Sequence, residues 1–292
     1  MLPQLRDAIE RESDRITGNF SEPRAVRIFF KALVIFTAIK IMLLIDVSRT
    51  LINYHTPSLL KSTMGRILLA PAYFAYEHPN IFFGVALCFL LVLLFIQSTY
   101  VTNILFFWLT LNLYAINLPI ANGSDIVLFM LSLWCIPMVD SHELDDNKKA
   151  VIRRLCFNLA VIFCQIQVAC LYFVSGWDKI FNAHWRTGEA LVYIQHLEIL
   201  YNPILPDFLT SPVSNAVFAW GTIVFELTFA LLIWREKTRP FLLIAGTVFH
   251  LFIWIVLSLP DFAGIMIISY LIFIKDKDLE RLTKFNFRRS LP

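Results

Sequence analysis

The sequence predicts an all-α fold, a polytopic transmembrane helical bundle of about eight spans. Three observations carry this reading. Hydrophobic residues make up 58% of the 292-residue chain, where soluble domains hold ~45–50%. The apolar residues fall in blocks of roughly 20, the length that crosses ~30 Å of hydrocarbon at ~1.5 Å per residue. Blocks such as Phe82 to Phe95 do not alternate in polarity, which argues against the short two-faced strands of a barrel.

The spans follow in order. The first, Val26 to Asp46, comes after a mixed-charge amphipathic segment, residues 1–25, that carries Leu2, Leu5 and Ile9. That segment lacks the short apolar core and small-residue cleavage site of a secretory signal, so the first span reads as an uncleaved anchor. Asn80 to Gln97, Val101 to Pro119 and the shorter Ile126 to Val139 make spans two to four. Leu155 to Ser175, Ser214 to Trp234, Pro240 to Ser258 and the shorter Phe262 to Ile274 make five to eight. The apolar stretch Arg66 to Tyr76 is interrupted by Pro71 and reads as an interfacial or re-entrant piece. No linker, repeat or low-complexity tract divides the chain. The expected organisation is one transmembrane domain over 26–275 and a basic tail over 276–292.

Eight spans put both termini on one side. That side collects eighteen Lys and Arg residues against five on the other, with Lys31 and Lys40 inside span one. The bias places the termini in the cytoplasm of a multi-pass cell-membrane protein. Two longer segments, Val47 to Pro79 and Gly176 to Val213, then lie outside, where sites tend to be built on a rigid bundle. The net charge of +3 is small, and no basic face with interleaved aromatics suggests nucleic acid. The cysteines, Cys88, Cys135, Cys156, Cys164 and Cys170, sit in or beside apolar blocks without a CxxC pair and read as small apolar residues. Neither P-loop, HExxH nor GxSxG occurs, which leaves nucleotide hydrolysis, zinc peptidase and serine hydrolase chemistry without support. No inverted repeat or pair of broken helices suggests a transporter.

The densest polar cluster on the outer side runs from Gly176 to Glu198. Lys179, just past span five, admits two readings: an amine snorkelling to the headgroups, or a base held at a dry interface. Trp177 and Trp185 suit an aromatic belt. Gln167, Glu226 and His250 lie within the hydrocarbon, where an ionisable group costs at least ~2.5–3.5 kcal/mol and usually faces the bundle interior. Glu226 and His250 fall at similar depths, ~18 and ~14 Å by rise per residue. They are expected to pair across adjacent helices, either as a packing bond or as a buried site. Asp125 opens span four as a cap, while Asp46 and Lys40 are expected to snorkel outward.

At span five the pattern resembles a known family. Gln167, Tyr172-Phe173, Gly176, Lys179 and Trp185-x-x-Gly188, followed by Glu226 and His250 in the next two spans, are similar to the HTTM family. That family contains the membrane part of vitamin K-dependent γ-carboxylase. The resemblance implies a catalytic Lys179, used as base on a lipid quinol cofactor to drive oxygen-dependent chemistry. It also marks His250 and Glu226 as catalytic candidates, and Gln167, Tyr172, Trp185 and Asp125 as substrate-pocket candidates. No metal site is implied. Where the carboxylases carry a histidine just before span four, this chain has Asn122-Gly123-Ser124-Asp125. The start of span four (Gly123, Asp125), its exit (Pro137, Asp140) and the run Gln165-Ile-Gln167-Val resemble the short bacterial members. Those are typified by sporulation-delaying protein B, a membrane factor required to mature a secreted peptide toxin. Two functions follow as expectations: maturation of a small secreted peptide at the outer face, or quinol-driven membrane catalysis. Membrane lipids, and a small secreted peptide with its maturation partners, are the expected partners.

Overall fold

A computed structural model describes residues 22–54, 63–139, 148–197 and 211–280. Each of the eight apolar blocks falls on helix. In chain order the helices are α1 (Pro23–Tyr54), α2 (Thr63–Leu68), α3 (Ala70–Glu77), α4 (Pro79–Phe95), α5 (Tyr100–Asn117) and α6 (Gly123–Cys135). They continue as α7 (Lys148–Phe181), α8 (Ala183–Thr187), α9 (Glu189–Gln195), α10 (Pro212–Leu232), α11 (Arg239–Leu257) and α12 (Pro260–Ser269), which tightens into a 3₁₀ turn at Tyr270–Phe273. Among the described residues, four helices are long and apolar enough to cross a membrane, and the stretches Pro79–Phe95, Gly123–Cys135 and Pro260–Phe273 are shorter apolar helices. No strand occurs among the described residues. Most of residues 1–25 and of the carboxyl-terminal tail, and Asp140, lie outside the described residues.

Helix starts follow local chemistry. Proline stands in the first turn of α3, α4, α10, α11 and α12, where its missing N–H costs nothing. Thr99 and Asn122 close capping boxes on α5 and α6. Asp125 is therefore the third residue of the α6 box, its carboxylate accepting from the Asn122 N–H at 3.1 Å, with Asn122 as the cap itself.

The helices are apolar on both faces, which marks their solvent as lipid. On α1, Phe29, Leu33, Thr37 and Ile41 point inward at helical spacing, yet Ile35, Ile39, Met42 and Leu43 are exposed. On α10, Ala219, Ile223, Glu226 and Phe229 are buried while Val213, Val217, Val224 and Leu231 are exposed. Polar groups turn inward because hydrocarbon offers them no partner.

Contacts divide the chain into two compact units, the first holding 1–164 with 274–292 and the second 165–273. In the first, Lys31 Nζ donates to the carbonyls of Leu93 and Ile96, and Ser48 Oγ donates to Asn117 Oδ1 at 2.8 Å. Lys40 does not snorkel outward. Its side chain is 7% exposed and lies 3.1 Å from Asp125 Oδ1, and it donates to Ser124 Oγ at 2.6 Å. Burial between α1 and α6 explains this: a lysine facing the bundle finds a carboxylate closer than it finds water. Asp46 is exposed as expected. The Arg66 to Tyr76 stretch becomes α2 and α3, tied to α5 through bonds from Trp108 Nε1 to the Leu68 carbonyl (2.5 Å) and from the Ala72 N–H to Asn112 (2.8 Å). The Arg24 and Ala25 N–H groups at the start of α1 donate to the Asp276 carboxylate. The start of α1 and the segment after the 3₁₀ turn therefore meet within this unit.

Candidate functional site

In the second unit the described part of the Gly176 to Val213 segment is largely helical. α7 runs on to Phe181, and α8 and α9 fold against the first half of α10. Gly188 makes that turn possible. It joins α8 to α9 at φ 85°, and a Cβ there would stand 2.6 Å from the Ala216 backbone nitrogen. The indole N–H of Trp220 then donates to the Arg186 carbonyl at 3.1 Å. The Trp185-x-x-Gly188 spacing thus fixes a cover over α10. Residues 198–210 lie outside the described residues.

Under that cover lies an ion pair. Ser175 and Lys179 are one turn apart and share a face of α7. Lys179 Nζ sits 3.0 Å from both Glu226 carboxylate oxygens and also donates to Ser175 Oγ. Ser175 donates in turn to Glu226 Oε1 at 3.1 Å. The Trp185 ring lies over the ammonium at 4.9 Å, a cation–π geometry. Lys179 and Glu226 side chains are 14% and 8% exposed, so the pair is nearly dry. Lys179 turns inward, and Asp178 is exposed.

Beside the pair is a cavity of about 220 Å³. Its walls are chiefly Phe218, Phe249, Phe252, Ile253 and Phe262 beneath Trp185, and its polar groups come from Ser175, Thr222, Lys179 and Glu226. Among the described residues that line it, Lys179 and Glu226 are the only charged ones.

Glu226 and His250 do not pair with each other. Glu226 is level with the end of α7, where Ser175 and Lys179 take its carboxylate. His250 belongs to a second polar layer one turn along α7. Tyr172 hydroxyl meets His250 Nε2 at 2.6 Å and Tyr270 hydroxyl at 2.5 Å. The layer needs Gly246: a Cβ there would overlap the Tyr270 hydroxyl. His250 also touches Phe249 and Phe262, two cavity walls.

The sequence-derived candidates therefore separate. Lys179, Glu226 and Trp185 converge on the cavity, and Tyr172 and His250 form the layer behind it. Gln167 is half-buried on α7 and does not line the cavity. Asp125 belongs to the other unit, where it holds Lys40. Sequence reasoning missed Ser175, although its four-residue spacing from Lys179 was available. It also missed Tyr270, for which no local signal exists. Gln165, in the run Gln165-Ile-Gln167-Val, donates from its amide to the Ile272 carbonyl at 2.8 Å.

Helices that expose apolar side chains around a buried ion pair and an apolar cavity define an α-helical membrane protein. The chain belongs to the HTTM domain family, which it matches over residues 21–277. It is similar to the uncharacterized protein YitO of Bacillus subtilis (strain 168), at 24% identity over 203 residues, 65% of either chain. The chain thus spans 65% of that relative's length. No solved structure matches it.

Proposed function

We propose that the second unit binds the ring head of a hydrophobic, lipid-dissolved compound of the hydroquinone type and performs proton chemistry on its hydroxyl. The observation that carries this is the apolar cavity of about 220 Å³ closed at one end by Lys179, Glu226 and Ser175. Its walls suit a flat aromatic ring, and its few polar groups suit a hydroxyl. Such a cofactor would supply the redox chemistry with oxygen; the chain binds, orients and moves the proton. Glu226 qualifies the role that the family resemblance implies for Lys179. The amine is already engaged by a carboxylate 3.0 Å away, so Lys179 serves as base on a bound hydroxyl by passing its own proton to Glu226. Trp185 excludes water above the amine, and the Tyr172, His250 and Tyr270 layer orients the walls behind it.

The test is chemical. Protein purified in detergent is extracted with organic solvent and the extract is analysed by mass spectrometry. A ring lipid of quinone type is expected to copurify with the wild type and to fall at least fivefold in a cavity-filling Thr222→Trp variant. Equal amounts in both proteins would sink the reading.

A second reading, maturation of a small secreted peptide as in the short bacterial members, rests on the Asn122 to Asp125 segment. Its Ser124 and Asp125 are engaged with Lys40 where the carboxylases carry a catalytic histidine. That argues against glutamate carboxylation while leaving a cavity that admits one peptide side chain. A peptide in the same extract would favour it.

In the proposed orientation the termini are cytoplasmic and the 176–213 segment faces outward. A membrane-impermeant thiol reagent added to intact cells should label a cysteine placed at His196 and spare one at Lys149. The opposite pattern would invert the topology.

A further inference from the structure

We infer that the cavity is charge-balanced and selects uncharged ligands, and that Glu226 sets this selectivity by cancelling Lys179. The inference rests on the ligand-site reading above and names the ligand's charge class. A lone buried lysine beside an apolar cavity would be a trap for fatty acids and acidic lipid heads, which a membrane presents in abundance. Here the ammonium is already taken. Both carboxylate oxygens of Glu226 lie 3.0 Å from Nζ, Ser175 bonds to both partners, and Trp185 covers what remains. With no other charged residue on the described walls, the net charge at the cavity is zero. It stays zero if the proton moves from Lys179 to Glu226, since that exchange converts a zwitterionic pair into a neutral one.

In a site so poorly solvated, charge is weakly screened. An incoming carboxylate would leave water, meet a neutral pair and stand close to the Glu226 oxygens. An uncharged hydroxyl faces none of these costs. It can donate to a Glu226 oxygen, which has lone pairs beyond those the lysine uses. Selectivity of this kind comes from the repulsive element as much as the attractive one. Glu226 is that element, and Lys179 alone would favour the anion.

The test uses two ligands with one ring, 2-naphthol and 2-naphthoate, and the full-length protein in detergent at pH 7.5. Binding is measured by equilibrium dialysis. The wild type is expected to prefer 2-naphthol by at least tenfold. Glu226→Gln keeps the shape and the Ser175 bond but leaves Lys179 unbalanced, so the preference should reverse toward 2-naphthoate. Should that variant not fold, Lys179→Gln tests the opposite sign and is expected to favour 2-naphthylmethylammonium over both. Wild-type protein that takes 2-naphthoate as well as 2-naphthol would overturn the selectivity and leave the cavity reading standing. So would single-charge variants whose preferences match the wild type. Failure of the wild type to bind either ligand would instead overturn the ligand-site reading itself, and the selectivity with it.

Discussion

Replacing Glu226 with leucine is expected to cost about 3–5 kcal/mol of unfolding free energy, the range for breaking one side of a buried ion pair. The loss comes from what remains. Lys179 would be left without its carboxylate in a nearly dry site, with Ser175 as its remaining hydrogen-bonding neighbour among those described. The double variant Lys179→Met with Glu226→Leu should recover most of the loss, because two apolar side chains leave no uncompensated charge. Unfolding by added anionic detergent in mixed micelles reads both. A single and a double variant of equal stability would mean that the pair contributes only packing.

The second large effect lies in the first unit. Asp125→Leu should cost at least as much, about 4–5 kcal/mol, because one carboxylate does two jobs. It neutralises Lys40, each side chain being 7% exposed, and it accepts the Asn122 N–H that closes the capping box on α6. A buried pair broken from one side contributes most of that figure, and the lost bond to the Asn122 N–H adds about 1 kcal/mol. Lys40→Met should cost clearly less. Asp125 would keep its backbone donor, and a carboxylate at a helix start is favourably placed in the helix dipole. Reversal of that order in the same unfolding assay would show that the lysine, not the aspartate, organises this corner.

Both predictions concern lysines, and the two were legible to different degrees. Lys179 was recognisable from its neighbours Tyr172, Gly176 and Trp185-x-x-Gly188, and its inward orientation was one of two stated readings. Lys40 was misread. A lysine near a span end snorkels by default, and only its partner's position on a helix more than eighty residues later overrides that default. The Glu226 and His250 pairing failed for a related reason. Depth counted along separate helices says nothing of which neighbour stands beside a side chain: Lys179 on α7 takes Glu226, and Tyr172 on the same helix takes His250. The pairing that formed, Glu226 with Lys179, joins residues already singled out, in a combination that spacing could not supply.

Hydropathy by itself determined the all-α class, the positions of the eight apolar helices and the inward burial of Glu226 and His250. These follow from one-dimensional rules: a helix needs a fixed length of apolar chain to cross hydrocarbon, and polar groups within it must turn inward. Local chemistry likewise set the proline and capping-box helix starts. Only the tertiary structure decided which buried polar group meets which. It made Lys179 and Glu226 a neutral pair, gave His250 to Tyr172 and Tyr270, and set Asp125 against Lys40. The physical reason is that a hydrogen bond or ion pair is settled within about 3 Å. A helix carries its side chains past one another at ~1.5 Å per residue and ~100° per step, so a small shift or rotation exchanges every partner while leaving the hydropathy pattern unchanged.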